Sequence, residues 1–153
     1  MKKFITFLCG ILLLFCITSC KNVNYEELID FPARTEDNTC SINVSYFVYY
    51  PTENANALYA DVEIEKFSYT FQPNKDFLNI DFYFECHILD MYEGAEYFAF
   101  EIVAYNKAGI RIETLHVYGE GDTNETVRVE TTLVLAMRDV EKGITIDFSN
   151  YER

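Results

Sequence analysis

The sequence predicts an all-β domain, an antiparallel β-sandwich of about seven strands. Three observations lead there. Apolar and polar side chains alternate through most of residues 39–150, with the period of two that a half-buried strand requires. Clusters of turn-forming residues interrupt that alternation at regular spacing. The chain is also rich in strand-forming aromatics, with 13 Phe and 12 Tyr but no Trp. No amphipathic helical pattern separates the strands, and half-buried alternation disfavours a parallel sheet, whose strands read as continuous apolar runs.

Each element follows from its own pattern. In "CSINVSYFVYY", Cys40, Ile42, Val44, Tyr46, Val48 and Tyr50 share one face. "PTENANA" at 51–57 is a loop. The next strand holds Ala60, Val62 and Ile64 in one phase, then Phe67, Tyr69 and Phe71 in the other. That slip at Glu65-Lys66 predicts a β-bulge or a change of sheet. "QPNKD" at 72–76 is a hairpin loop. Ile80, Phe82, Phe84, Cys86 and Ile88 point inward on the clearest strand, with Asn79, Asp81, Tyr83, Glu85 and His87 outward. After the loop "DMYEGAE" at 90–96 come Phe98, Phe100, Ile102 and Ala104. "NKAG" at 106–109 closes a hairpin, with Gly109 supplying a left-handed residue. Ile110 and Ile112 lead the return strand, and "GEGDTN" at 119–124 is a loop. Val127, Val129, Thr131, Leu133 and Leu135 form a further inward set. "EKG" at 141–143 turns into Ile144, Ile146 and Phe148.

The N-terminus is of another kind. Lys2 and Lys3 precede an apolar run over residues 4–17. Fourteen residues suit a signal-peptide core and fall short of the ~20 a spanning helix needs. Ile17-Thr18-Ser19-Cys20 then resembles the bacterial lipobox. That resemblance implies cleavage before Cys20, a diacylglycerol on its sulfur and commonly a further acyl chain on the new amino group. Cys9 and Cys16 are poor rivals, because Leu8 and Phe15 are bulky where the peptidase wants a small residue. Residues 1–19 are therefore expected to be a cleaved signal, 20–38 a lipidated polar tether and 39–150 the domain. Two or three acyl chains make a stable anchor where one binds reversibly. Lys21 follows Cys20 in place of the Asp that retains some Gram-negative lipoproteins at the inner membrane. Inner and outer membranes both stay open.

Removing residues 1–19 takes away two lysines and no acid, so the formal charge of −13 becomes −15. Such a charge argues against nucleic acid and against anionic headgroups as partners, and leaves room for cations or basic proteins. Residues 21–38, "KNVNYEELIDFPARTEDN", are mostly polar, and their only apolar cluster is Leu28, Ile29 and Phe31.

Within the domain, "FEIVAYNKAGIRIETL", "GEGDTNETVRVETTL" and "GITIDFSNY" resemble successive elements of the immunoglobulin-like domains in bacterial surface lipoproteins, such as the FxLYD type. The likeness covers residues 77–150. It departs from the pattern in Asn106, where Asp is usual, and in lacking the Phe-x-Leu-Tyr-Asp string. What it implies is an Ig-like sandwich displayed outside the cytoplasm, and no activity.

Candidate chemistry is sparse. Cys40 and Cys86 both fall on inward faces in a compartment where disulfides persist. They are read either as a bridge or as two separate buried thiols. His87 and His116 have no partners at metal-ligand spacing. No serine sits in a G-x-S-x-G elbow, and no catalytic residue is assigned. Asp90, Glu93, Glu96, Glu120, Asp122 and Glu125 line two acidic loops, weak candidates for calcium, since neither loop fits the twelve-residue calcium plan. "SYFVYY" at 45–50 is apolar on both faces and expects a cover, either residues 21–38 or a second copy. The sequence thus reads as a cell-envelope lipoprotein held to a membrane by its lipid. It displays a non-catalytic binding or assembly module to an envelope protein partner, with no cofactor besides the lipid. The alternative is a solute- or calcium-binding lipoprotein using the acidic loops or exposed aromatics.

Overall fold

The computed structural model describes residues 23–32, 40–46, 58–91 and 97–150, with side chains described for 23–32, 60–91 and 97–150. The signal segment, Cys20, residues 47–50, Glu93 and Glu96 lie outside them. The described residues form eight strands: β1 (Ile29–Asp30), β2 (Cys40–Tyr46), β3 (Leu58–Pro73), β4 (Phe77–Met91), β5 (Phe98–Asn106), β6 (Arg111–Gly119), β7 (Thr126–Ala136) and β8 (Ile144–Asn150). One short helix, α1 (Met137–Val140), joins β7 to β8. Two four-stranded sheets result, in the orders β1-β8-β5-β6 and β2-β3-β4-β7, and all pairs but β1–β8 are antiparallel. The all-β sandwich expected from alternation is the fold.

The inward phases hold. Ile80, Phe82, Phe84, Cys86 and Ile88 of β4 are buried, and Phe98, Phe100, Ile102, Ile144, Ile146 and Phe148 face them from the other sheet. Phe84 lies at the centre. Its ring stacks on Phe82 at 5.6 Å and meets Phe100 and Phe148 edge-on at 5.2 and 5.4 Å, in the offset and edge-to-face geometries that aromatic quadrupoles favour.

The phase slip in β3 is a bulge. Ile64 pairs with Cys86 and Lys66 with Glu85, leaving Glu65 extra. Were Glu65 paired regularly, Lys66 would continue the inward phase of Ala60, Val62 and Ile64. With the bulge, Lys66 turns to solvent and Phe67 takes the inward place.

Asparagines set both tight hairpins. Asn74 Oδ1 accepts the N–H groups of Asp76 and Phe77 at 2.9 and 2.8 Å. Asn106 Oδ1 accepts those of Ala108 and Ile110 at 2.9 and 3.0 Å, and Gly109 takes φ +74°. The side-chain oxygen is what this turn uses, and the Asn106 amide supplies it as a carboxylate would.

One expectation is corrected. Residues 23–32 are not a free spacer. Tyr25–Glu27 form a 3₁₀ turn, Ile29 is 2 % exposed and β1 pairs in parallel with the start of β8. Phe31 stacks on Tyr69 at 3.9 Å, and the Tyr69 hydroxyl donates to Glu26 Oε2 at 2.7 Å. The domain therefore starts well before residue 39. This segment covers Tyr69 and Phe71 of β3; the "SYFVYY" stretch it was expected to cover continues past Tyr46 outside the described residues.

Register also separates the two readings left open for Cys40 and Cys86. Ile64 of β3 stands between them, paired with Cys40 on one side and Cys86 on the other. Two strand spacings separate the cysteine backbones, roughly 9.5 Å, against the ~7 Å limit for a bridge. Cys86 is a free, buried thiol, as the two-thiol alternative has it. Burial, and then the charge of Glu65, push it from an ordinary 9.0 up to about 12. A folded-state value above the unfolded one means stability complete below about 9 and lost as pH climbs toward about 12. Cys86 should resist iodoacetamide at pH 8 in the native protein and react once urea unfolds it, as read by mass spectrometry. Native-state labelling at the unfolded rate would overturn this burial.

Candidate functional site

The outer face of the β2-β3-β4-β7 sheet is built in rows by strand register. Lys66, Glu85 and Arg128 form one row across β3, β4 and β7, and Ser68, Tyr83 and Glu130 the next. The bulge is what delivers Lys66 to this face. Lys66 Nζ lies 2.8 Å from Glu85 Oε2, and Arg128 Nη2 lies 3.6 Å from Glu85 Oε1. The hydrogen bond between them, then their charges, raises the Lys66 pKa and lowers that of Glu85. Both groups are in water, so the pair organises the surface rather than stabilising the fold. Beside it is a concavity of about 400 Å³, lined by these three residues with Ser68, the half-exposed ring of Tyr83 and Glu130. Two cations, Lys66 and Arg128, and two carboxylates, Glu85 and Glu130, line it, so the charges balance beside an aromatic platform. That arrangement suits recognition of a polar partner surface carrying both signs of charge.

The flanking rows are self-satisfied. Thr132 Oγ1 donates to Asp81 Oδ1 at 2.7 Å, and His87 Nδ1 lies 3.0 Å from Thr126 Oγ1. His87 is thus an outward strand residue bonded to its neighbour, as its phase implied.

On the other sheet the structure brings together residues that sequence reasoning left apart. Glu101 of β5 is 2 % exposed, the one buried charged residue among those described. Its Oε1 lies 3.1 Å from His116 Nε2, and its Oε2 makes no hydrogen bond, with Arg111 Nη1 at 4.0 Å. β5 is buried on both faces, Ala99 and Val103 included, which is why the carboxylate is enclosed. The signal was present in the sequence: one charge in an otherwise apolar strand, brought opposite His116 by counting back from the "NKAG" turn.

Register decides what this group does. Glu101 pairs with His116 on β6 and with Ser149 on β8, so the row reads Ser149, Glu101, His116. A hydrolytic triad needs histidine between nucleophile and carboxylate. Here the carboxylate is in the middle, with serine and histidine two strands apart. The geometry is that of a row of neighbouring polar side chains on one sheet face, with Glu101 Oε1 against His116 Nε2.

The acidic loops share one end of the sandwich. Residues 119–125 fold onto the end of β4: Asn124 N–H donates to the Ile88 carbonyl at 2.7 Å and Met91 N–H to Thr123 Oγ1 at 3.0 Å. Glu125 Oε2 accepts the Asp122 N–H at 2.9 Å, so this carboxylate caps its own turn. Asp90, Glu120 and Asp122 stand at the same end. Among the described residues, no group of three or more His, Cys, Asp or Glu has the geometry to hold a metal ion, and no helix is long and apolar enough to cross a membrane.

Comparison with protein-family models, with curated proteins and with solved structures finds no match.

Proposed function

We propose that this chain is a cell-envelope lipoprotein, anchored by lipid on Cys20, whose Ig-like sandwich is a non-catalytic recognition module for an envelope protein partner. The lipobox-like Ile17-Thr18-Ser19-Cys20 supports the anchor. The observation that carries the recognition role is the Lys66–Glu85–Arg128 row beside Tyr83 and its concavity. Exposed bases and acids set in register beside a ring offer a partner complementary charge of both signs. The non-catalytic part of the reading rests on the row order of Ser149, Glu101 and His116.

A photo-crosslinking phenylalanine analogue in place of Tyr83, activated in intact envelopes, should give a discrete protein adduct. The same analogue at Thr145, exposed on the other sheet, should not. Lys66→Glu with Arg128→Glu should abolish the adduct without moving the thermal midpoint, because both side chains are exposed. No adduct at Tyr83, or one indifferent to the charge reversal, would overturn this face as the recognition surface.

A further inference from the structure

The shortened tether decides how the domain meets the bilayer, given the anchoring at Cys20 on which this inference rests. β1 runs parallel to β8, so residues 23–28 lie where β8 begins. The three other segments at that end are the β3–β4 hairpin, the β5–β6 hairpin and the α1 connection. The Met137 N–H donates to the Asp76 carbonyl at 2.9 Å, and the Ile144 N–H to the Leu28 carbonyl at 2.9 Å. Lys107 lies directly against Gly143. These contacts hold the four segments as one end face.

Only residues 21 and 22 stand between Cys20 and the first described residue. Three residue steps span at most roughly 10 Å, which is comparable to the depth of a headgroup layer, about 5–8 Å. An acylated Cys20 therefore holds this end face against the lipid.

The end face has the chemistry for it. Val23, Phe77 and Ile110 protrude from three different segments at 45 %, 47 % and 61 % exposure. Five of the seven basic residues among those described are here: Lys75, Lys107, Arg111, Arg138 and Lys142. Glu26, Glu27, Asp30, Asp76, Asp139 and Glu141 stand at the same end and bring it close to neutral, Asp139 lying 3.8 and 3.9 Å from Arg138 and Lys142. At the opposite end Asp61, Asp90, Glu120, Asp122 and Glu125 have no basic residue among them. Net charge argues against lipid headgroups; its distribution frees one end from that argument.

We infer that the end face bearing Val23, Phe77 and Ile110 seats on the phospholipid surface, with the Phe77 and Ile110 side chains in the headgroup layer and the acidic end turned away. Apolar side chains enter that layer while long basic ones reach its phosphates.

The chain has no tryptophan, so a single introduced one reports its own position. Phe77→Trp, Ile110→Trp and, at the acidic end, Glu120→Trp would each be made in the full lipidated protein. All three sites are exposed. The proteins would be reconstituted into phosphatidylethanolamine–phosphatidylglycerol vesicles with and without bromine on the upper acyl chain. Emission from Phe77→Trp and Ile110→Trp should fall about two-fold with bromine, an interfacial side chain sitting roughly 5–10 Å deep. Emission from Glu120→Trp should not change. Unquenched Phe77→Trp and Ile110→Trp on protein whose mass shows lipidated Cys20 would overturn the seating alone, as would equal quenching of Glu120→Trp. A mass showing Cys20 without lipid would overturn the anchoring and the seating together.

Discussion

Deleting residues 23–32 is expected to lower the domain's unfolding free energy by about 4–6 kcal/mol, a large share of the ~5–15 kcal/mol that folded domains have. The sum has two main parts. Burying Ile29 contributes about 1.5–3 kcal/mol. The Phe31 ring, stacked on Tyr69, contributes a similar amount with an aromatic pair term of about 0.5–1.5 kcal/mol. The deletion also uncovers Tyr69 and Phe71, so the truncated protein should self-associate. Ile29→Ala alone should cost about 2–5 kcal/mol. Urea midpoints and sedimentation measure both effects. A truncated domain as stable and monomeric as the intact one would return the segment to the status of a spacer.

The second large effect is at the centre of the core. Phe84→Ala should cost about 3–5 kcal/mol, because the ring touches partners on both sheets. Phe82 and Phe67 lie on its own sheet, Phe100 and Phe148 across the sandwich. No single neighbour can collapse into a space bounded from both sides. Tyr83→Ala, the adjacent residue on the same strand, points outward and should shift the urea midpoint by far less. If the two variants behaved alike, the inward and outward assignment of β4 would be wrong.

The contrast between these neighbours shows what is legible in a sequence of this kind. Alternation assigns Phe84 inward and Tyr83 outward without coordinates, and a break in alternation at Glu65-Lys66 locates the bulge. Alternation gives the phase of a strand and not its neighbours. Cys40 and Cys86 were both correctly read as belonging to strands, yet Ile64 lies between them in the register. β1 escaped because two residues make no pattern, and only its partner β8 reveals it. Glu101 escaped because alternation treats the second face of β5 as wet, whereas that face is buried too. Composition likewise reports net charge but not its placement, and both the Lys66–Glu85–Arg128 row and the sorting of bases toward one end depend on placement.

The parallel pairing of β1 with β8 also fixes an order of events. The first strand to be synthesised is completed by the last. At about 5–20 residues per second the interval between them is on the order of ten seconds, and so distant a contact closes late in folding. Throughout that interval Ile29 has no strand to join, and the segment next to Cys20 stays extended. Acylation and cleavage at Cys20, as proposed, would act on chain not yet held by β8. Once β8 arrives, the same segment is drawn into the sheet, and a flexible substrate becomes a short, rigid stem.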